Sequence, residues 1–250
     1  MRLTKFIQDI KRLLFSLIVL SSYIFAIDSS SKRIIANTNN QFNSVEDYQV
    51  NMLVELDVPA FRMPKKKYKV YYKNPNKIKV KAKGFGILPK TGLFTSPNDN
   101  FDNLKDIKIS NLITDKENRV ILTGSLIVDS LKLDMPNEYS RITFDPVVEV
   151  TIDTLMWVIE NVTTKLDTLK LFQINNFYRM YNEDHYMPEK SIVEYYIKDK
   201  NLFNWINKDV SNIIGQDESL MKNSSTVKGT IIVLYKDYEI NKGISDKVFD

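Results

Sequence analysis

The 250-residue chain contains no cysteine, a single histidine and only seven glycines. The lack of cysteine excludes disulfide bridges, thiolate zinc sites, iron–sulfur clusters, a thiol nucleophile and lipid attachment through an N-terminal cysteine. Because His185 is the only histidine, a metal site built from several histidines is also excluded. The few glycines form no obvious loop for cradling a phosphate. We therefore expect a protein without a metal or another cofactor.

The composition is otherwise that of a folded protein, with 43% hydrophobic and 26% charged residues. A formal net charge of +4 leaves nucleic acid or an anionic membrane open as partners. The charge is unevenly placed, because residues 1–26 carry four basic side chains and one acidic one. The rest of the chain is therefore close to neutral.

The basic start is followed by an apolar run from Leu13 to Ala26. The run is about as long as the hydrophobic region of a secretory signal, and it is shorter than the roughly 20 residues that span a bilayer. We predict a cleaved signal peptide over residues 1–26, with an uncleaved membrane anchor as the alternative. Because no shift in composition divides residues 27–250, we expect them to form one domain outside the cytoplasm.

The clearest strand of the sequence runs from Tyr48 to Val58. Its even-numbered positions are apolar and its odd-numbered positions are mostly polar, as in a strand with one buried face. Eleven residues at about 3.3 Å each make a long strand, and long strands are typical of large curved sheets or barrels. The apolar positions are Tyr48, Val50, Met52, Val54, Leu56 and Val58.

The alternating pattern continues along the chain. Residues 67–73 and 77–83 predict two strands of a hairpin, joined at Asn74-Pro75-Asn76 by residues that favour turns. A second proline-marked turn is predicted at 186–190. Short connections favour antiparallel pairing. Helices are predicted over about 34–42 and 201–214. Residues 85–104 predict a loop that has room for a short helix, and 215–225 predict a loop. Further strands are predicted over 105–114, 119–129, 140–152, 155–165, 168–181, 190–198 and 226–240.

In the order of these parts the sequence resembles the LolA-like periplasmic lipoprotein carriers, also called outer-membrane lipoprotein-sorting proteins. A signal sequence, a short helix and a long alternating strand come first. The segment from Tyr68 to Lys77 looks like the family's aromatic-x-Lys-Arg-Pro-Asn hairpin, and Gly86-Ile87-Leu88-Pro89 resembles the apolar-proline step after it. The segment 238–249 resembles the C-terminal strand and tail of family members, so the resemblance covers roughly residues 33–250.

The resemblance implies an α+β fold, mostly antiparallel β: an unclosed half-barrel whose apolar concave side is covered by helices and loops. It also implies a monomeric, non-enzymatic carrier in the periplasm. Such a carrier takes the acyl chains of lipoproteins or other lipids from an inner-membrane donor and delivers them to an outer-membrane acceptor.

The hairpin departs from the family pattern at one position. The family often carries arginine directly before the proline, where it is tied to passing the cargo onward, and this chain carries Asn74. Asparagine has neither the fixed charge nor the guanidinium fork of arginine. Lipoprotein transfer by the family's mechanism is therefore in question, whereas carriage of another lipid stays open.

The apolar positions of the predicted strands are candidates for the wall of a lipid cavity, and ordinary core packing is the alternative for each of them. Trp157 lies in the run Leu155–Ile159, which is apolar at both odd and even positions. Such a run predicts a strand buried on both faces. Alternation alone leaves open which face of the sheet is concave. The candidates are Val50, Met52, Val54, Leu56, Val70, Tyr72, Val80, Ala82, Leu88 and Trp157.

Lysines gather on the predicted hairpin, most of them at odd positions on the polar face. One interpretation is a solvated face that protects the sheet edge from aggregation. The other is attraction to anionic lipid headgroups or to an acidic partner. Nucleic acid is not expected, because lysine without arginine reads bases poorly. The lysines are Lys65, Lys66, Lys67, Lys69, Lys73, Lys77, Lys79, Lys81 and Lys83.

Two other classes of function stay open beside the carrier. The same half-barrel fits a sensor that binds a membrane partner. A hydrolase would need His185 as its base, with Asp184 as the neighbouring acid, and the chain has no Gly-x-Ser-x-Gly elbow for a nucleophile. We therefore expect no catalytic residues.

Overall fold

The computed structural model describes residues 30–58, 61–62, 64–82, 97–110, 117–127, 145–182, 184–197 and 227–250. Residues 30–43 are helical and are called α1, and a second short helix, α2, spans Pro97–Asp102. A 3₁₀ turn at Asp246–Val248 lies near the C-terminus. The strands are β1 (Asp47–Val58), β2 (Phe61–Arg62), β3 (Lys66–Lys73), β4 (Lys77–Ala82), β5 (Leu104–Ile109), β6 (Arg119–Leu126), β7 (Val147–Asp153), β8 (Val158–Leu166), β9 (Leu169–Tyr181), β10 (His185–Ile197) and β11 (Val227–Ile240).

The strands form one antiparallel sheet in the order β4-β3-β1-β11-β10-β9-β8-β7-β6-β5, and β2 pairs with the end of β1. From β5 to β11 each strand pairs with the next strand along the chain. The last strand, β11, also pairs with β1 and so joins this run to the first strands. Among the described strands β4 and β5 are the two edges and do not pair with each other, so the sheet is unclosed. The predicted fold class is confirmed.

One face of this sheet is largely apolar. The register places Val50 beside Val70 and Val70 beside Val80, so the even positions of β1, β3 and β4 share that face. On the other side of β1, Val54 lies beside Val233 of β11. Val50, Val70 and Val233 are each no more than 1% exposed. The even-numbered face of β1 is thus the covered one, which alternation alone left open.

Helix α1 covers part of this face. Ser31, Ile34 and Thr38 recur at helical spacing, are buried and point to the sheet. The hydroxyl of Thr38 donates to the carbonyl oxygen of Ile34 at 2.9 Å, so this polar group is satisfied inside the packing. Phe101 of α2 joins the same core. The polar sequence around these few residues explains why only one side of α1 is buried.

The C-terminal tail is fastened to the start of β1 by one buried carboxylate. Asp47 is 4% exposed, and its two oxygens accept the backbone N–H groups of Lys242, Gly243 and Ile244 at 2.9–3.0 Å. Gly243 has a φ of +78°, a conformation that favours glycine and lets the chain curl around the carboxylate. The carboxylate therefore closes the end of β11 onto β1.

Several predicted boundaries are wrong; for example, β5 ends at Ile109 and not at 114, and β7 starts at Val147 and not at 140. Residues 154–157 form a turn and β8 starts at Val158, whereas a strand was expected from 155. The cause is Asp153, whose Oδ1 accepts the amides of Leu155 and Met156 at 2.8 and 3.0 Å and bends the chain. The turn expected at 186–190 lies within β10 instead, and the reversal between β9 and β10 comes before His185.

The long strand at Tyr48 and the hairpin at Asn74-Pro75-Asn76 are confirmed, and the Asn74–Pro75 bond is cis. The short first helix is also confirmed, over 30–43. The helix expected over 201–214, the loop over 215–225, most of the loop over 85–104 and the signal peptide over 1–26 lie outside the described residues. Of the helices described, none is long and apolar enough to cross a bilayer.

Replacing Asp47 with alanine should lower the free energy of unfolding by about 3 kcal/mol, because three backbone N–H groups lose a charged acceptor. The matched control is Asp57→Ala, since Asp57 is an exposed residue of the same strand. That change should stay within about 0.5 kcal/mol. Urea denaturation followed by circular dichroism measures both, and equal effects would contradict the anchoring role of Asp47.

Candidate functional site

A cavity of about 110 Å³ lies between helix α1 and strands β8–β11. Helix α1 contributes Thr38, Gln41 and Phe42 to its wall, and Asn100 of α2 lines it as well. Every described side chain that lines the cavity is uncharged. The cavity is the place where α1 and the apolar face of the sheet do not pack completely against each other.

The floor of the cavity is apolar. Ile159 and Val162 of β8 and Ile174 of β9 face into it, and Val162 lies directly beside Ile174 in the register. Trp157 adds its side chain from the turn before β8, where its φ is +54°. A surface of this kind favours an apolar guest, because each Å² of apolar area removed from water contributes about 25 cal/mol.

One side of the cavity carries hydroxyl and amide groups. The Ser191 hydroxyl donates to Oδ1 of Asn176 at 2.7 Å and lies 3.3 Å from the hydroxyl of Tyr235. The Asn176 amide and the Tyr178 hydroxyl both donate to the carbonyl oxygen of Ile159 at 3.1 Å. These bonds hold the polar groups in place without any formal charge, so the side can meet a neutral polar group of a ligand.

Aromatic rings close the end of the cavity near the tail. Tyr48 stacks on Tyr72 with 5.0 Å between ring centroids and meets the edge of Tyr238 at 5.8 Å. Phe42 of α1 packs edge-on against Tyr72 at 5.6 Å. The Tyr238 hydroxyl donates to the carbonyl oxygen of Pro188 at 3.0 Å. The cluster therefore joins α1 to β1, β3, β10 and β11.

Burial changes the acidity of these tyrosines. It raises the pKa of Tyr235 to about 12, against a weaker opposing effect of the Ser191 hydrogen bond. Burial also raises the pKa of Tyr178 and Tyr48, and the nearby Tyr235 raises both further. Tyr238 shifts in the same direction, again mainly through burial. All four side chains are therefore neutral hydrogen-bonding groups at ordinary pH.

An irregularity in β11 places two of these tyrosines on one face. Tyr235 and Tyr238 are three residues apart, so a regular strand would point them to opposite faces. The pairing between β1 and β11 shifts between Gln49 and Asn51, and Asp237 adopts a φ of +57° at this point. The bulge reverses the alternation, and both rings reach the cavity.

The residues expected to line a cavity fall into separate groups. Trp157 lines it, and Tyr72 contacts the lining residues Tyr48 and Phe42. Val50, Met52, Val54 and Val70 are buried in the main core, while Leu56 and Val80 pack against that core and are partly buried. Ala82 is exposed at the end of β4, and Leu88 lies outside the described residues.

Most of the lining was missed by sequence reasoning, both the aliphatic Ile159, Val162 and Ile174 and the polar or aromatic residues of the later strands. The candidates came mainly from the first three long strands, whereas the cavity lies mainly against β8–β11. The even positions of 168–181 contain Ile174, Asn176 and Tyr178, so alternation alone signals their common face.

Asn74, at the position of the family arginine, lies in the turn between β3 and β4. Its backbone N–H donates to the carbonyl oxygen of Glu46 at 2.8 Å. Its side-chain amide donates to the backbone carbonyl oxygen of Asn43 at 3.4 Å. Asn43 is the last residue of α1. The side chain of Asn74 thus ties the hairpin to the end of the covering helix.

His185 lies at the start of β10 and links three segments. Its Nδ1 lies 3.4 Å from the hydroxyl of Ser44, and its Nε2 lies 3.3 Å from the side-chain amide of Asn241. The Ser44 hydroxyl donates to the carbonyl oxygen of Gln41 at 2.7 Å, so its proton is directed away from the ring. This geometry lends no support to a nucleophile activated by His185.

No family model matches this sequence, and no curated protein matches it significantly. Solved structures do. A LolA superfamily protein from Nitrosomonas europaea is similar with a TM-score of 0.52 and 10% identity, over 88% of this chain and 97% of that one. A DUF1329 family protein from Desulfovibrio piger is similar with a TM-score of 0.50 and 9% identity, over 89% and 96%. The chain therefore has a LolA-like fold, as the resemblance of its sequence implied.

Stability should fall as the pH rises through the window set by Tyr235. An unfolded tyrosine loses its proton near pH 10, whereas folded Tyr235 keeps it to about pH 12. Over this window the free energy of unfolding should lose about 1.4 kcal/mol per pH unit for this group. Tyr235→Phe should reduce the slope by that amount, measured by urea denaturation between pH 9 and 12. An unchanged slope would contradict the burial of Tyr235.

Proposed function

We propose that the protein is a periplasmic carrier that binds the acyl chains of lipoproteins or other lipids and shuttles them towards the outer membrane. The observation that carries the proposal is the uncharged, largely apolar cavity between α1 and the open sheet. Exposing an acyl chain to water costs about 0.8 kcal/mol per CH₂, so a carrier needs an apolar slot of this kind.

The cavity must enlarge to admit a whole acyl chain. At about 110 Å³ it is smaller than an engineered cavity of about 150 Å³ that holds one benzene. Thr38, Gln41 and Phe42 of α1 form one wall, and α1 buries only one side of itself. In this proposal the cargo enters as α1 separates from the sheet, and the packing of Phe42 on Tyr72 is exchanged for packing on the cargo.

The chemistry proposed is binding without catalysis. The hydroxyl and amide side of the cavity is uncharged and its members are engaged with one another. It fits the ester or amide carbonyls that attach acyl chains to glycerol or to a protein. With Asn74 in place of the family arginine, delivery from an inner-membrane donor to an outer-membrane acceptor proceeds without a cation at that position.

Bound lipids can be identified in protein purified from its native host. Organic extraction followed by mass spectrometry should recover acylated lipids or lipid-modified peptides in a fixed ratio to protein. The control is the Ile174→Trp variant purified in the same way. Protein that is consistently empty and takes up no fluorescent acyl probe would overturn the proposal.

Filling the cavity should abolish acyl binding. Ile174→Trp places a large ring among Val162, Ile159 and Trp157, and should weaken binding of a fluorescent acyl probe at least tenfold. Ile192→Trp is the matched control, because Ile192 lies next to Val193 in β10 and faces the other side of the sheet.

A folded Ile174→Trp protein that binds the probe normally would contradict the location of the site. If that variant does not fold, Ile174→Ala serves instead. It enlarges the cavity and should keep the probe affinity or increase it.

The fluorescence of Trp157 can report whether lipid occupies the cavity, because Trp205 is the one other tryptophan of the sequence and can be replaced. In a Trp205→Phe protein all tryptophan fluorescence comes from Trp157, and lipids with brominated acyl chains should quench it. The unbrominated lipid is the control. Bound brominated lipid that leaves the fluorescence unchanged would place the acyl chain away from Trp157.

A further inference from the structure

A basic patch lies on the outer face of the edge hairpin, away from α1. It consists of Lys67 and Lys69 of β3 and Lys79 and Lys81 of β4. The odd positions of these strands share this face, because Lys69 pairs with Lys81 and Tyr71 pairs with Lys79. The buried Val70 and Tyr72 point to the opposite face. The patch is thus separated from the cavity by the thickness of the sheet.

The arrangement of the patch lowers the stability of the sheet. Lys69 and Lys81 are directly opposite each other, and like charges at such positions are destabilising. Both ammonium groups lie near the ring of Tyr71, at 5.5 and 5.1 Å from its centroid, which offsets part of the repulsion. Two cations held around one aromatic ring form a local concentration of positive charge.

The acidic residues near the hairpin form ion pairs with lysines outside the patch. Asp246 of the tail pairs with Lys73 at 2.8 Å and with Lys77 at 3.2 Å, and these two lysines lower the pKa of its carboxyl. Glu55 pairs with Lys65 at 2.7 Å. Within the described residues no carboxylate lies in salt-bridge distance of the four lysines of the patch. Their charge is therefore available to an external anion.

We propose that the basic patch docks the protein on the surface of an anionic phospholipid membrane. Protein interfaces are depleted of lysine, whereas lysine clusters are typical of segments attracted to anionic headgroups. Tyr71 fits the same partner, because an amphipathic ring among cations suits the boundary between headgroups and acyl chains. Docking through this face leaves α1, on the opposite face, uncovered, so a bound carrier can still open between α1 and the sheet.

The test is sedimentation of the full-length protein with vesicles of phosphatidylcholine alone and of phosphatidylcholine with phosphatidylglycerol. Binding should be stronger to the anionic vesicles and should weaken as salt is raised from 0.05 to 0.5 M. Lys79→Gln/Lys81→Gln should weaken binding to the anionic vesicles at least tenfold. The matched control is Lys105→Gln/Lys108→Gln, which removes two lysines from the opposite edge strand and should change binding less than twofold.

Equal binding to both kinds of vesicle would overturn the proposal, as would equal losses in the two double variants. Unchanged vesicle binding with new aggregation of Lys79→Gln/Lys81→Gln would assign the lysines to protection of the edge. Retention by an immobilised acidic peptide with no preference for anionic vesicles would assign them to a protein partner. Uptake of the acyl probe by the same variants tests the carrier function separately, and it should be unaffected.

Discussion

The structure depends on one largely apolar face of a ten-strand sheet, which has to be covered. Its central valines are almost completely buried, yet the described helices are short and cover only part of its width. A closed barrel would bury such a face within itself, whereas an open sheet needs other segments on top. The cavity forms between α1 and this face, beside the polar groups of Ser191 and Asn176. The fold of the protein and its candidate site thus both follow from the need to cover this face.

The two faces of the sheet have different chemistry. The covered face is uncharged around the cavity, while the outer face of the edge hairpin carries lysines in opposed positions. Strand alternation produces this separation directly, because neighbouring residues of β3 such as Val70 and Tyr71 point in opposite directions. A single hairpin can therefore contribute to the core on one face and carry a charged surface on the other.

Much of the fold could be predicted from local patterns, because alternation in β1 and the turn residues Asn74-Pro75-Asn76 act over short distances. Where the predictions of turns and faces failed, the causes are also local, but they depend on single side chains and backbone angles. The Asp153 carboxylate turns the chain before Trp157, and the bulge at Asp237 brings Tyr235 and Tyr238 to one face. The pairing of β11 with β1 could not be predicted, since alternation shows which face of a strand is buried but not which distant strand lies beside it. That pairing brings Tyr48 of β1 beside Tyr235 and Tyr238 of β11 at one end of the cavity. The lining residues on β8, β9 and β10 were missed for another reason, because alternation does not show which positions of a buried face border a cavity.

The place of β11 also has a consequence for how the molecule is built in time. Strands β4, β3 and β1 form one group, and β10 to β5 form another, and only β11 pairs with both. The pairing of β1 with β11 joins residues about 190 positions apart, so it carries a larger loop-closure entropy than the pairing of consecutive strands. Until β11 is added, β1 and β10 each present an unpaired edge.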